Sequence, residues 1–315
     1  MYKVLIIGCG NIGAMYDWES NQILTHAKAF SKVQNVEMFF YDINWERALR
    51  VSKHYHGTAV ENLEESIENM KFDIISICTP THFHYDLLKH SIKNNTPVII
   101  CEKPVSVDLN EINQLRTFFH PSNSKIIVNY IRRFQPSYLK LKDFITFLLD
   151  KDKLTNISIR YQRGFMNNCS HAFDLLQFLF QEPFNPSNFL IIQKSYDHFQ
   201  SDPTLSGTCK WLNADINVMG LFDVEYSHFE IDLYFRKHKI VICNSGDVIE
   251  SFSAEQNTNN IVSLLPIHSM SMQNCVSDYM APVAQKALSL LNGEGCDNFL
   301  EALELNQTIM NILNE

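Results

Sequence analysis

The feature that most constrains this chain is a glycine pattern close to its start. A short β-branched run, residues 4–7, leads directly into Gly8-Cys9-Gly10-Asn11-Ile12-Gly13, a G-x-G-x-x-G sequence. A buried strand followed at once by such glycines implies three things: a tight turn at Gly8, close approach of a pyrophosphate to backbone at Gly10, and close strand–helix packing at Gly13. Asn11 and Ile12 complete the loop, and the helix it opens would point free N–H groups at phosphates. A strand-to-helix turn that merely tolerates glycine is the alternative, so the rest of the chain must arbitrate.

The next hundred residues favour the ligand-binding version. Strand-like runs at residues 36–41, 72–78, 98–101 and 125–129 alternate with helical patterns at 25–33, 45–54, 83–93 and 109–119. Asp108 is placed as the N-cap of the last of these. Parallel strands need crossover helices, so the alternation predicts a doubly wound parallel α/β sheet. Beyond residue 130 the order changes. Helical patterns at 139–149 and 171–180 accompany strand-like runs at 156–163, 189–193, 207–212, 215–222, 229–235 and 239–243, and helices return at 278–291 and 299–313. That mixture predicts an α+β domain built on a mostly antiparallel sheet. Two domains are therefore expected, residues 1–129 and 130–315, with the C-terminal helices able to pack back on the first.

Charge and cysteine usage narrow the class further. The 315 residues carry a formal charge of −9, which argues against nucleic acid as a partner because phosphate backbones need a basic footprint. No apolar run approaches the ~20 residues needed to span a bilayer, and Met1-Tyr2-Lys3 does not open a cleavable leader. The eight cysteines are scattered without a C-x-x-C pair, so a reduced, cytoplasmic protein is expected.

Asp42 ends the second strand, where a carboxylate would accept hydrogen bonds from ribose hydroxyls and repel a 2′-phosphate. That favours NAD over NADP. It lies 29 residues after Gly13 instead of the usual ~20, which makes residues 16–22 an insertion before the next helix. Arg47 is placed to reach an adenine or a phosphate, or else it is a solvated helix residue.

Ligands in open α/β sheets bind beyond the carboxyl ends of the strands. Thr79-Pro80-Thr81-His82-Phe83-His84 follows one such end and Glu102-Lys103-Pro104 another. Lys103 there could polarise a carbonyl or hydroxyl, or simply pair with Glu102. His84 suits a packing or cofactor-flanking role. His82 and His84 alternate and nothing completes a ligand set with them, so no metal is expected. In the second domain His171 and Asp174 share a helix face; His171 could act as a general base, and its plain alternative is a satisfied structural histidine.

Taken in order, the glycine loop, the T-P-x-x-x-H segment, Glu102-Lys103-Pro104, Arg132-Arg133-Phe134-x-Pro136 and the His171-x-x-Asp174 helix resemble the glucose–fructose oxidoreductase / inositol dehydrogenase / rhizopine-catabolism (Gfo/Idh/MocA) family. The resemblance implies an N-terminal Rossmann domain and a C-terminal domain with a large, open-faced, mostly antiparallel sheet. It implies that Lys103 touches nicotinamide ribose and substrate, that His171 exchanges the substrate proton, and that residues 79–84 line the nicotinamide. Tyr130 and Arg133 would stand near the nicotinamide–substrate junction, and the sheet face would form a dimer or tetramer. One departure stands out. The family commonly has Asp four residues before the histidine, where this chain has Asn167, a residue able to orient a substrate but unable to relay a proton.

These features lead to an expected NAD(H)-dependent oxidoreductase acting on a secondary alcohol or ketone of a sugar-like substrate, extending to a nucleotide-sugar of surface-glycan biosynthesis. Arg132, Arg133, Arg160 and Arg163 would suit an anionic substrate, or serve as ion pairs of the fold. The alternative function is a non-catalytic dinucleotide-binding sensor or scaffold.

Overall fold

The computed structural model describes residues 1–120, 123–256 and 260–314. The chain forms two compact units, Met1–Phe134 with Ser277–Gln307, and Gln135–Val276 with Thr308–Glu315.

The first unit is built on a six-stranded parallel sheet: β1 (Tyr2–Ile7), β2 (Val36–Tyr41), β3 (Thr58–Ala59), β4 (Ile74–Ile77), β5 (Val98–Cys101) and β6 (Lys125–Val128), in the order β3-β2-β1-β4-β5-β6. The doubly wound parallel sheet expected from the alternation is present. Its central strands are covered on both faces: all four residues of β4, Ser76 among them, and of β5 are buried. The connecting helices are α1 (His26–Ser31), α2 (Trp45–Tyr55), α3 (Leu63–Met70), α4 (His84–Lys93) and α5 (Leu109–Phe118). Asp108 caps α5 as expected, accepting the N–H groups of Asn110 and Glu111.

The unit's core also draws on the end of the chain. Residues Met280, Val283, Ala284, Ala287 and Leu290 join Val4, Ile6, Phe30 and Phe40 in one apolar cluster.

The helix that the glycine loop opens is short, a five-residue π-helical turn, Asn11–Met15, and the insertion expected at residues 16–22 follows it. The N–H groups of Ala14 and Met15 both reach Gly10 O, at 2.9 and 3.1 Å. The chain then leaves the helical path because the buried Asp17 carboxylate accepts the N–H groups of Leu24 and Thr25, at 2.7 and 2.9 Å, closing residues 17–25 into a loop. Helix resumes at α1, capped by Thr25.

The second unit carries an eight-stranded sheet: β7 (Leu154–Tyr161), β8 (Ser187–Ser195), β9 (Thr204–Trp211), β10 (Ala214–Gly220), β11 (Phe229–Phe235), β12 (His238–Cys243), β13 (Val248–Gln256) and β14 (Val262–Pro266), in the order β14-β13-β12-β11-β7-β10-β9-β8. Only the β7–β10 pair is parallel. Along β10 the residues alternate strictly: Ala214, Ile216, Val218 and Gly220 are buried, while Asp215, Asn217 and Met219 are exposed. One face thus packs inward and the other stays open. Helices α6 (Pro136–Leu149) and α7 (Ser170–Phe180) also belong to this unit, and α7 buries nine of its eleven residues. Helices α8 (Met280–Leu291) and α9 (Phe299–Asn314) end the chain. Among the described residues no helix is long and apolar enough to cross a membrane.

Candidate active site

The carboxyl ends of β1, β2 and β4 enclose a cavity of about 560 Å³ in the first unit. Gly8, Gly10, Asn11 and Ile12 line it from the glycine loop, Asp42 and Arg47 from beyond β2, and Thr79 and Pro80 from beyond β4. Eight of the residues singled out from sequence as cofactor ligands therefore meet in one space.

Each glycine has the reason its position demands. Gly8 has φ +94°, and a Cβ there would lie 2.8 Å from Cys78 O. At Gly13 a Cβ would fall 1.9 Å from Gly8 O, so the loop can close only on a bare Cα. Gly10 is different: a Cβ there would meet nothing within 4 Å. Its open side gives a pyrophosphate room to approach the backbone. Thr79 Oγ1, buried and without a hydrogen-bond partner, offers a further polar atom at the cavity wall. The residues present fit a dinucleotide.

Asp42 is almost wholly buried and heavily engaged. Its Oδ2 accepts the Cys9 N–H at 2.9 Å and its Oδ1 the Asn44 N–H at 2.8 Å. Arg47 Nη1 approaches both oxygens, at 3.2 and 3.4 Å. Arg47 thus lines the cavity as the ion-pair partner of Asp42. A carboxylate has about four lone-pair sites, so capacity remains for ribose hydroxyls. Cys9, inside the loop, is buried, and burial together with the Asp42 charge pushes its thiol well above the ordinary range. It is held as a neutral thiol, an inert packing group.

Glu102 and Lys103 follow β5, and the Lys103–Pro104 peptide is cis. Lys103 is half-buried. Glu102 accepts from His26 Nε2 at 2.9 Å and from Asn129 Nδ2 at 2.6 Å. His26 Nδ1 lies 2.7 Å from Ser76 Oγ, and both residues are fully buried. Burial alone would lower the His26 pKa, but Cys78 and Glu102 more than offset it and raise it to about 10. Glu102 shifts the other way: burial would raise it, and the His26 and Asn129 hydrogen bonds lower it below its ordinary value. His84 is buried and stands between two carbonyls, 2.8 Å from Pro104 O and 2.8 Å from Thr79 O, linking the segments after β4 and β5. That is the packing role the sequence allowed it.

Tyr130 is buried just after β6. The buried Arg133 sends both Nη groups to Glu301 Oε2 at 3.0 Å, within the same unit.

In the second unit, Asn167 lies in a π-helical turn, Phe165–Cys169, that runs straight into α7. His171 is half-buried in the first turn of α7 and Asp174 is buried on the same face. Such π turns recur at functional sites because they shift side chains relative to a regular helix. Asp202 fixes this one: its carboxylate accepts the N–H groups of Met166 and Asn167, at 2.8 and 2.7 Å. Asn167 Nδ2 donates to Arg163 O at 3.1 Å; the strand that sequence extended to Arg163 stops at Tyr161, and Arg163 has φ +65°. Arg160 is bound by Glu230 and Asp232, the ion-pair role that sequence left open for it.

Sequence inspection missed His26, Asn129 and Asp202. Asn129 was within reach, since it ends β6 as Glu102 ends β5 and the same strand-end rule applies. His26 and Asp202 carry no local pattern.

Comparison with known proteins agrees with the geometry. Residues 2–130 match the GFO_IDH_MocA model, described as an oxidoreductase family with an NAD-binding Rossmann fold. An inositol 2-dehydrogenase of Rhizobium meliloti is 24% identical over 140 residues, 44% of this chain and 39% of that protein. A glucose-6-phosphate 3-dehydrogenase of Bacillus subtilis is 27% identical over 161 residues, 50% of this chain and 40% of that protein. The chain thus matches about 40% of the length of these relatives. The solved structure of a UDP-N-acetylglucosamine 3-dehydrogenase from Acidithiobacillus ferrooxidans matches with TM-score 0.76 over 98% of this chain and 95% of that one. At 14% identity that is a likeness of fold alone.

Proposed function

We propose that this chain, whose residues 2–130 match the model of the Gfo/Idh/MocA oxidoreductase family, is an NAD(H)-dependent dehydrogenase of a sugar-like secondary alcohol or ketone. The observation that carries this is Asp42. It stands in the same cavity as Gly10, where a carboxylate holds ribose hydroxyls and repels a 2′-phosphate. When bound, the nicotinamide supplies hydride exchange with a carbinol carbon.

The chain's own residues supply the rest. The glycine-loop backbone, Asp42 and Thr79 hold the dinucleotide. Lys103 is assigned to orient and polarise the reacting oxygen, and His171 to accept the hydroxyl proton in oxidation and return it in reduction. Asn167, Tyr130, Arg133 and Arg163 are assigned to the substrate. With Asn in place of the family's Asp, His171 carries the proton transfer without a carboxylate from position 167. The inositol and sugar-phosphate dehydrogenases among the relatives support a polyhydroxylated ring as substrate class, nucleotide-sugars included. The open face of the second sheet, where Leu190 and Met219 are 65% and 53% exposed, supports a homo-oligomer.

The test is titration with NADH and NADPH, then a panel of inositols, sugars, sugar phosphates and nucleotide-sugars followed by nicotinamide absorbance. Tight NADH binding with turnover of a ring polyol is the expected result. Binding without turnover across the panel would favour a dinucleotide-binding sensor, and absence of NADH binding would remove the proposal.

A further inference from the structure

The buried cluster behind the Glu102–Lys103 segment draws together groups from four elements: His26 from α1, Ser76 from β4, Glu102 from the end of β5 and Asn129 from the end of β6. His26 is fully buried and Glu102 is 17% exposed. We propose that His26 is a positioning residue for this segment: its buried imidazolium keeps Glu102 ionised and in place, and so holds the Lys103 backbone at the sheet edge. The inference rests on the assignment of Lys103 to cofactor and substrate.

Hydrogen-bond geometry alone allows either charge state of His26, because the Ser76 hydroxyl can donate to Nδ1 or accept from it. Electrostatics separates the two. A carboxylate withdrawn from water needs a compensating cation, and removing one partner of such a pair leaves a costly buried charge. Asn129 gives Glu102 a hydrogen bond but no charge. The other titratable groups facing the pair are Cys78 after β4, Cys101 in β5, Lys103 beyond it and Tyr279 ahead of α8. Burial raises both the Cys101 thiol and the Tyr279 phenol, and the Glu102 charge raises them further, so both stay neutral beside Glu102. Lys103 also stabilises the Glu102 anion. With His26 carrying the balancing charge, Lys103 is not required to fold back onto Glu102 to do so.

Two measurements test this. In wild-type protein the His26 ring, followed by its carbon and nitrogen NMR shifts, should remain imidazolium from about pH 6 to about pH 9; a ring that titrates near the ordinary histidine value overturns the proposal. The second measurement is NADH affinity against pH, with wild type as the control. His26→Gln keeps a donor but loses the charge, so raising the pH should ionise an unpaired Glu102. NADH binding should then weaken by about tenfold or more between about pH 6 and about pH 9, beyond any change in wild type. Adding Glu102→Gln to that variant should abolish the slope. Equal weakening at every pH, or a slope that Glu102→Gln leaves intact, would mean the histidine is only structural. Wild-type protein that fails to bind NADH would sink the cofactor assignment instead, and the ring titration would still decide the role of His26. If the variants do not fold, the ring titration decides alone.

Discussion

The Asp42 carboxylate accepts the Cys9 backbone N–H at 2.9 Å, fastening the acidic end of β2 to the middle of the glycine loop. The residue expected to read the ribose therefore also holds the loop expected to take the pyrophosphate. Asp42→Ala should lower stability by about 1–3 kcal/mol, because it leaves buried N–H groups unpaired. It should also release Arg47, whose side chain is 38% exposed, toward a 2′-phosphate. Wild type should prefer NADH to NADPH by about tenfold or more, and the variant should lose that preference. Fluorescence titration with both nucleotides, beside a denaturant curve, gives both answers.

Gly10 and Gly13 separate binding from folding. Gly13→Ala puts a methyl 1.9 Å from Gly8 O, backbone that has no easy retreat. Its denaturation midpoint should drop by the equivalent of about 1–3 kcal/mol or more. Gly10→Ala meets nothing within 4 Å, so it should fold with wild-type stability and lose NADH affinity by about tenfold or more. A Gly10→Ala protein that binds NADH normally would place the pyrophosphate elsewhere.

The His26–Glu102 pair sets a pH window for stability. The His26 pKa is raised from 6.5 to about 10, so its contribution is complete below 6.5 and fades as pH climbs toward 10. Glu102 is lowered from 4.5, so its contribution is complete above 4.5 and is lost as pH falls through its folded value. Thermal melts across pH should show the pair's contribution greatest between these limits. Glu102→Gln should flatten the alkaline slope, and an unchanged slope would show that the histidine charge is balanced by another group.

Lys103→Met and His171→Asn should each cut turnover by about 10²-fold or more on whichever substrate the panel identifies. His171→Asn should leave NADH affinity within a few-fold of wild type. Steady-state rates paired with nucleotide titration separate these effects, and full turnover in either variant would remove that residue from the mechanism.

Asp202 acts as a remote cap on the turn that carries Asn167. Asp202→Ala should destabilise the protein by about 1–2 kcal/mol, as loss of a helix cap does. Asp202→Asn, which keeps an accepting oxygen, should recover part of that loss. Thermal denaturation of the two variants against wild type measures it.

Much of the first unit could be read directly from the chain. β2 and β5 run over the residues expected: β5 is buried throughout and reads as an unbroken apolar run, and β2 is interrupted only by the exposed Glu37. Segments with weak apolar signals escaped notice. The helix α3 spans only two turns and buries only Ile67, and all five residues of β14 are exposed, so neither buries the face that marks a packed element. The strand β13 pairs with its neighbours through backbone hydrogen bonds while carrying polar side chains over half its length.

In the first unit the glycine loop, the acidic strand end and the Thr79–Pro80 and Glu102–Lys103 segments were legible as candidates in the chain, and so, in the second, was the histidine at the start of α7. Each is a local signature in which neighbouring residues share one turn or one strand end. What holds them in place comes from residues far away in the chain. His26 meets Glu102 across 76 positions and Asp202 meets Asn167 across 35, each through a hydrogen bond that no spacing rule encodes. The insertion after the glycine loop is likewise closed by a buried group, the Asp17 carboxylate, which accepts from Leu24 and Thr25. Local propensity sets which elements form. The partners of buried charges are set by the packing of distant segments, because a charge removed from water must be neutralised wherever the fold places a group that can do it.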